Sequence, residues 1–220
     1  MEKPPRGSRA DGDATRKQIL QAAGELFASM GYGETTNKAI ASLAQVDLAS
    51  LNYHFGTRAS LYQSVLAEAH HRLINFADLR ALADSELSPT SKLNRVIEQL
   101  VRAATTEPQS WHLRVFAREI LAPTSHLQSL IKDEALPKML LVKRMLSEIT
   151  GIAAEDPALT RCLLNIGAPC LMLLVGGRSF PGPLQDVFRM PRKEISNHLY
   201  HFALGGLQAI AREHQKQSQT

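Results

Sequence analysis

A short polar face between residues 48 and 55 has the side chains that contact with DNA requires. Small residues let a helix approach a groove closely, and hydroxyl and amide groups bond to base edges and phosphates. At about 100° per residue, this face lies opposite or beside an apolar stripe of Leu48, Leu51 and Phe55. The face consists of Ala49, Ser50, Asn52, Tyr53 and His54. We therefore expect a DNA-recognition helix here.

A helix of only two turns needs neighbours, because nucleation costs more than its few hydrogen bonds return. The pattern predicts a short preceding helix with Ile40 and Leu43 on its apolar side, and Val46 in the turn that follows. Asp47 is the expected N-cap of the recognition helix, and Gly56 its expected end. These features together predict a helix-turn-helix.

The segment from Thr35 to Arg58 resembles the N-terminal domain of TetR-family transcriptional regulators. The family pattern is roughly TT…IA…AGVS…LYYHF..K, and the chain reads TTNKAIASLAQVDLASLNYHFGTR. The resemblance implies contacts to phosphates and to the DNA backbone from residues around the recognition helix. The residues assigned in this way are Thr36, Lys38, Tyr53, His54 and Arg58, with Thr57 beside them as the expected cap of the next helix.

Three positions depart from the family pattern. Gln45 stands where the family usually has a turn glycine, so either a left-handed conformation there is strained or the turn differs. Asn52 replaces a frequent tyrosine, and Ala49 a frequent glycine. We expect these two changes to alter the operator sequence that is read, while the contacts that position the domain are kept.

Composition predicts an all-α protein. Leu- and Ala-rich runs recur without alternating Val, Ile and Thr, and aromatic residues make up 5% of the chain. The formal net charge is +4, and residues 1–60 hold seven basic against six acidic side chains, a net of +1. Because the DNA-binding region is not a polycation, helix N-termini and hydroxyl groups must supply much of the phosphate contact.

The sequence favours a cytoplasmic location. The first residues lack the apolar segment of a secretory signal. The longest apolar run, 166–175, is shorter than the roughly 20 residues that cross a bilayer, so we expect no membrane span. Cys162 and Cys170 lie eight residues apart on one predicted helix and cannot pair within it, which fits a reducing compartment.

Three regions are expected: a disordered arm at 1–12, a three-helix DNA-binding domain at 13–58, and a larger helical domain for effector binding and dimerisation at 59–220. A first helix should run from Asp13 to Met30 with Gly31 as its stop. A long helix from Thr57 to about Leu82 would link the two domains. Further helices are expected near 93–104, 111–121, 127–149 with an interruption near Pro137, 156–176 and 192–214.

The last two predicted helices are the expected dimer contact. Helix 156–176 is apolar nearly all round, so it must be covered on more than one side. Helix 192–214 contains Gly205 and Gly206, which allow close approach of another helix. We predict a four-helix interface between two copies, which the TetR resemblance also implies. The pattern His198-x-x-x-Phe202-Ala203-x-x-Gly206-Leu207 is similar to a CerR-like C-terminal subgroup.

The candidate residues for effector binding each have a structural alternative. Trp111 fits an apolar pocket or core packing. Arg114 and Arg118 share one helix face, which would either bind an anionic ligand or be solvated or internally paired. A kink at Pro169 would either open a cavity or shape the dimer contact. The candidates are Trp111, Arg114, Arg118, Asn165 and Cys170.

Metal and enzyme chemistry find little support. Glu194, His198 and His201 resemble a metal-binding helix face, but three ligands on one helix do not close a site, and a polar stripe is the favoured interpretation. The chain has neither G-x-S-x-G nor H-E-x-x-H, and no cofactor is expected. The leading hypothesis is a dimeric repressor released from a palindromic operator by a small molecule. An all-α enzyme acting on a small molecule and a helical protein-interaction adaptor are the alternatives.

Overall fold

The computed structural model describes residues 6–105, 110–176, 182 and 184–217, and over these residues every regular element is a helix. The all-α prediction is thus confirmed. The helices are α1 (Arg6–Glu34), α2 (Asn37–Leu43), α3 (Leu48–Phe55), α4 (Arg58–Leu73), α5 (Phe76–Ala83), α6 (Pro89–Thr105), α7 (Trp111–Leu121), α8 (Leu127–Leu130), α9 (Leu136–Thr150), α10 (Pro157–Gly176), α11 (Leu184–Arg189) and α12 (Arg192–Gln217), with a π-helical turn at Ile131–Ala135.

The chain divides into two compact units. The N-terminal unit comprises Met1–His70 and Gln109–Leu130, and the C-terminal unit comprises His71–Pro108 and Ile131–Thr220. The sequence placed the division after residue 58 and assigned residues 111–121 to the effector domain. The structure instead gives α7 and α8 to the N-terminal unit, because α7 packs along α1.

Helix α1 forms the base of the N-terminal unit and buries Ile19, Ala23 and Phe27. Gly31, with φ 84° and ψ 171°, breaks the helical geometry where the sequence predicted a stop. The helix begins at Arg6, so residues 6–12 do not form the predicted disordered arm, since extending an existing helix adds one hydrogen bond for each residue fixed. Residues 1–5 of that arm lie outside the described residues.

The helix predicted from Thr57 to Leu82 is two helices. The first, α4, ends at Leu73, and α5 begins after Asn75. Asn75 has extended geometry (φ −74°, ψ 131°), and its side-chain oxygen accepts hydrogen bonds from the N–H groups of Ala77 (2.7 Å) and Asp78 (3.1 Å). A short amide side chain competes in this way with the backbone, so a local cap replaced the helix that hydrophobic spacing predicted.

The C-terminal unit is built from α5, α6, α9, α10 and α12 around one buried core. Gly151 ends α9 in the left-handed region (φ 73°), as predicted. The interruption expected near Pro137 is the π-helical turn before it, and Pro137 itself lies in the first turn of α9, where proline is tolerated. The largest core side chains are Leu79, Leu93, Ile97, Met145 and Leu146.

Helix α10 is long and apolar enough to cross a membrane when judged by length and composition alone. In the structure its residues Leu159, Cys162 and Ile166 are buried in the core of the C-terminal unit. The core helix of a soluble protein passes the same test of length and composition, so this helix is weak evidence for a membrane span.

Candidate DNA-binding surface and effector cavity

Two side-chain caps set the start of the helices that form the helix-turn-helix. The Thr36 hydroxyl accepts a hydrogen bond from the N–H of Ala39 (3.1 Å) at the start of α2. The Asp47 carboxylate accepts one from the N–H of Ser50 (2.6 Å) at the start of α3. The N-cap predicted at Asp47 is confirmed, and both caps satisfy backbone donors that a helix start leaves unpaired.

The turn between α2 and α3 keeps a glycine-like geometry without glycine. Gln45 has φ 52°, and its N–H donates to the Ser42 carbonyl at 3.2 Å. The N–H of Val46 donates to the Ala41 carbonyl at 3.0 Å. This pair of bonds closes a helix with one left-handed residue, a position that normally favours glycine. Of the two outcomes expected from sequence, the structure has the left-handed residue rather than a different turn.

Helix α3 presents the predicted polar face to solvent. Leu51 and Phe55 are buried behind it, whereas Tyr53 has an exposed fraction of 85%. Along the same surface, Ala49 and Asn52 are exposed, and Ser50 and His54 are half-buried. The ring of His54 lies edge-on to that of Tyr53, with 5.2 Å between the centroids. The surface is therefore small, polar and accessible.

One member of the predicted apolar stripe is not buried. Leu48 has an exposed fraction of 46%. Seven residues advance a helix by about 700°, so Leu48 lies about 20° around α3 from Phe55 but about 10 Å from it along the axis, at the start of the helix. Phe55 is held on the protein side, where the Arg16 guanidinium lies 4.9 Å from its ring centroid. Leu48 thus joins the exposed surface rather than the core.

The start of α4 places two more predicted DNA contacts. The Thr57 hydroxyl accepts the N–H of Ser60 (3.1 Å), which confirms the predicted cap. Arg58, expected to hold the DNA backbone, donates from Nη1 to the Thr35 carbonyl at 2.8 Å. Its Cζ lies 4.5 Å from the ring centroid of Tyr32. The partner of Arg58 is 23 residues away in the chain, which helical spacing alone does not reveal.

A buried polar contact links α4 to α7 within the N-terminal unit. The Tyr62 hydroxyl donates to Oε2 of Glu119 at 2.7 Å. The other carboxylate oxygen accepts the N–H (3.0 Å) and the hydroxyl (2.8 Å) of Thr124. Burial, followed by the bond to Glu119, raises the pKa of Tyr62 far above its usual range, so the hydroxyl remains a donor.

Two of the predicted effector ligands have partners in α1 instead. Trp111 is buried, and its Nε1 donates to the Gln21 side chain at 2.8 Å. Arg118 donates to the carbonyls of Ser29 (3.3 Å) and Met30 (3.2 Å), just before the helical geometry of α1 breaks at Gly31. A cation at a helix C-terminus is favourable because the final carbonyls lack intrahelical donors. Core packing thus accounts for Trp111, and internal pairing for Arg118.

The remaining candidates divide between solvent, a cavity and the core. Arg114 is exposed on α7. Asn165 lines a cavity of about 480 Å³ in the C-terminal unit, between α6, α10 and α12. Cys170 is buried outside that lining, and burial raises the pKa of its thiol to about 11. Trp111, Arg114 and Arg118 belong to the N-terminal unit, so the five candidates do not form one pocket within either unit.

The cavity is apolar apart from one amide and one thiol. The Asn165 amide and the Cys162 thiol are the polar side-chain groups among the described lining residues. Burial raises the pKa of the Cys162 thiol and keeps it neutral. The lining residues are Ile97, Cys162, Asn165, Ile166, Pro169, Leu199, Phe202, Ala203, Gly206, Leu207, Ala209 and Ile210.

The sequence predicted that α10 needs cover on more than one side and that α10 and α12 contact a second copy, and each of these helices has an outward apolar side. On α12, Leu207 is buried while Phe202 has an exposed fraction of 75%. On α10, Leu159 is buried and Leu164 is 66% exposed. Glu194, His198 and His201 are exposed on α12, and the described part of the chain contains no group of three or more His, Cys, Asp and Glu side chains placed to hold a metal ion.

The fold and the exposed face of α3 define the class of the protein, a helix-turn-helix transcriptional regulator. The model of the TetR family of bacterial regulatory proteins matches residues 19–65. The model of the C-terminal domain of the HTH-type transcriptional dual regulator CecR matches residues 89–210, more than half of the chain. The chain belongs to the TetR-type regulators that carry a CecR-type C-terminal domain.

Named relatives belong to the same class. The chain is 31% identical over 109 residues to the regulator RutR of Escherichia coli K12, covering 50% of this chain and 49% of RutR. It is 30% identical over 95 residues to TtgR of Pseudomonas putida, covering 43% of this chain and 45% of TtgR. The chain spans about half the length of these curated relatives. Both families and both relatives are regulators rather than enzymes, which removes the enzyme alternative.

Solved structures share the fold at low identity. A TetR-like transcriptional regulator from Rhodococcus sp. RHA1 matches with a TM-score of 0.67 and 17% identity, covering 93% of this chain and 98% of that one. FadR from Bacillus subtilis, solved in complex with stearoyl-CoA, matches with a TM-score of 0.67 and 15% identity, covering 86% and 98%. The likeness supports the TetR-like fold of the helix-turn-helix and the helical C-terminal domain.

Proposed function

We propose that this chain is a cytoplasmic, ligand-responsive transcriptional repressor that binds a palindromic operator as a homodimer. The observation that carries the proposal is the exposed face of α3, held from behind by the buried side chains of Leu51 and Phe55. Two such helices, one from each copy, would enter successive major grooves about one helical turn apart. Effector binding would change their separation and release the operator.

The exposed residues of α3 have distinct roles in this proposal. Asn52 donates and accepts on an adenine edge, and Leu48 and Ala49 contact thymine methyl groups. Phosphates are held by Tyr53 on α3, by Lys38 on α2, and by the hydroxyl of Thr36. Ser50, His54 and Thr57 lie at the margin of this surface. Since the region has little net charge, we expect hydroxyl and backbone N–H groups to make phosphate contacts in addition to that of Lys38.

Selection of bound DNA from random fragments, followed by titration of variants, tests the proposed surface. Asn52→Ala should relax specificity at one base pair in each half-site, with a discrimination loss of about 1–3 kcal/mol. Replacing one thymidine of the operator by deoxyuridine removes a methyl group and should weaken DNA binding by the natural protein. Leu48→Ala should bind the two operators equally. Tyr53→Ala should weaken binding to all sequences. Gln63→Ala, an exposed change on α4, is the control. Unchanged affinity and specificity in all three surface variants would contradict the proposal.

We assign the dimer contact to the outward apolar sides of α10 and α12. Leu164, Phe202 and Ile210 are exposed there, and a two-fold axis would set each against the same surface of the second copy. Phe202→Asp and Leu164→Asp should give monomers in sedimentation at micromolar concentration. Leu121→Asp is the matched control, since Leu121 is 68% exposed but lies on α7. A dimer that survives both substitutions would exclude this interface.

The effector proposed for the cavity is a mainly apolar small molecule with one polar group facing Asn165. FadR of Bacillus subtilis, a structural neighbour, was solved with stearoyl-CoA, an apolar chain on a polar head. A metabolite panel should contain a compound that releases operator DNA from the natural protein but not from Asn165→Leu. Phe202 and Ile210 also line this cavity, so a second copy could fill it instead. In that case Asn165→Leu would alter dimerisation and leave release unchanged.

The adaptor alternative predicts a different outcome in the selection from random DNA fragments. An adaptor would recover a partner protein and would select no DNA sequence from random fragments. Enrichment of a palindromic site would exclude it.

A further inference from the structure

The Arg58 side chain connects the two ends of the helix-turn-helix. Thr35 lies just before α2, and Arg58 lies just after α3, 23 positions further along the chain. The Nη1 group of Arg58 donates to the Thr35 carbonyl at 2.8 Å. The bond therefore joins the two ends of the segment that carries the recognition surface.

The residue that accepts this bond is itself fixed. Thr35 has an exposed fraction of 0%, and its hydroxyl donates to the Gly31 carbonyl at 2.7 Å. The next residue, Thr36, is the N-cap of α2. Arg58 thus binds the backbone at a buried residue that lies between the end of α1 and the start of α2.

The guanidinium is also held by an aromatic ring. The Arg58 Cζ lies 4.5 Å from the centroid of Tyr32, and the Tyr32 ring packs on Tyr62 with 4.8 Å between centroids. A planar guanidinium can stack on a ring and donate in its own plane at the same time, whereas a lysine ammonium lacks that geometry. This double contact fixes both the position and the direction of the donor.

The contacts of Arg58 with Thr35 and Tyr32 matter because α2 and α3 are short. They have seven and eight residues, and helices of this length are not stable alone in water. Gly56, with φ 70°, then ends α3 before α4 starts. Their direction relative to α1 and α4 therefore depends on a small set of contacts, of which the Arg58 to Thr35 bond spans the whole segment.

We propose that Arg58 is a positioning residue for DNA binding and not a phosphate ligand. It holds the ends of the helix-turn-helix together so that α3 keeps the direction in which its exposed face meets the groove. This inference rests on the proposed role of α3 in DNA recognition.

The test is a salt titration of operator binding by Arg58→Met, which keeps an apolar stem and removes the guanidinium. A positioning residue predicts an affinity loss of about tenfold for each protomer, or about a hundredfold for a dimer, at every salt concentration. This is the effect of one lost charge-assisted hydrogen bond in each copy, and the slope of log K against log salt is unchanged. A phosphate ligand predicts a slope smaller by about 0.9 for each protomer, or roughly 1.8 for a dimer. A reduced slope would overturn the proposal.

Arg58→Lys separates charge from geometry. It keeps the positive charge but cannot stack and donate in one plane, so we expect an affinity between those of Arg58→Met and the natural protein. Full recovery of the natural affinity would mean that charge alone matters, and would also overturn the proposal.

Lys92→Met is the control for lost stability. Lys92 Nζ donates to the Ala83 carbonyl at 2.8 Å, so the change removes a matched bond from the C-terminal unit. Below the melting temperature of both variants, Lys92→Met should retain operator affinity and Arg58→Met should not. Equal losses would assign the effect to general stability and reject positioning.

Lys38→Met separates this inference from the function on which it rests. It removes an exposed charge from α2 and should lower the salt slope. If the natural protein selects no DNA, the proposed function fails. If it does, and Arg58→Met binds as well as the natural protein, only the positioning role fails.

Discussion

The hydroxyl of Tyr62 on α4 lies 2.7 Å from Oε2 of Glu119 on α7, a carboxylate with an exposed fraction of 1%. Its other oxygen is occupied by two bonds from Thr124. The pair ties α7 to the unit that contains α2 and α3. A segment assigned from sequence to effector binding therefore supports the DNA-binding unit.

Tyr62→Phe should destabilise the N-terminal unit by about 1–3 kcal/mol, because it leaves a buried carboxylate oxygen without its donor. Trp111 is the single tryptophan of the chain and lies in the same unit, so its fluorescence during urea unfolding reports this unit. Tyr53→Phe removes a hydroxyl from an exposed ring and is the control. A loss no greater than that of the control would show that the bond contributes nothing to stability.

Gly24→Ala should destabilise α1 despite a better helix propensity. A Cβ at Gly24 would lie 2.3 Å from the Trp111 ring, so the indole must move. Overpacking of this kind costs about 1–3 kcal/mol, more than the roughly 1 kcal/mol that alanine gains over glycine in a helix. Gly33→Ala, where an added Cβ meets nothing within 4 Å, is the matched control and should change the urea midpoint little. A Gly24→Ala variant that is more stable than the natural protein would contradict the close packing of the Trp111 ring against Gly24.

Gln45→Gly should stabilise the helix-turn-helix by about 1 kcal/mol, because Gln45 pays a left-handed penalty at φ 52° that glycine avoids. The reciprocal change is Gly151→Ala at φ 73°, where an added Cβ has open space and strain acts alone. That variant should lose about 1 kcal/mol. The free energy of unfolding of both variants is measured in urea. Trp111 fluorescence reports Gln45→Gly, and circular dichroism reports Gly151→Ala. Two changes of the same sign would refute the explanation by backbone strain.

Asp156 should make stability depend on acid pH. Its carboxylate accepts the Ala158 N–H at 2.7 Å and lies 3.0 Å from Nε2 of His214. The first of these bonds, followed by His214, lowers the pKa of Asp156 below its usual range. A lowered pKa adds stability above the unfolded value of about 4, and this stability is lost as the pH falls through the folded pKa.

The measurement is the urea midpoint of the natural protein and Asp156→Asn between pH 5 and pH 2. The advantage of the natural protein should shrink steadily towards the lower pH. Asn197→Ala, an exposed change on α12 that removes no titratable group, should show no such trend. An advantage that is constant with pH would rule out the carboxylate as its source.

Local chemistry made much of the fold predictable. The caps at Asp47 and Thr57 and the stops at Gly31 and Gly151 each depend on atoms within one helical turn, and all four were read from the residue types. The polar face of α3 follows in the same way from helical spacing. The break at Asn75 was missed because its cap competed with a continuous apolar pattern.

By itself the sequence determined the helices, their caps and the small polar face of α3, because these depend on neighbours in the chain. Only the tertiary structure decided where long-range partners lie. It brought Arg58 to Thr35, Arg118 to the Met30 carbonyl, and Trp111 to Gln21. Periodicity identifies the side of a helix that is apolar or charged, but the group that meets this side comes from a distant part of the chain.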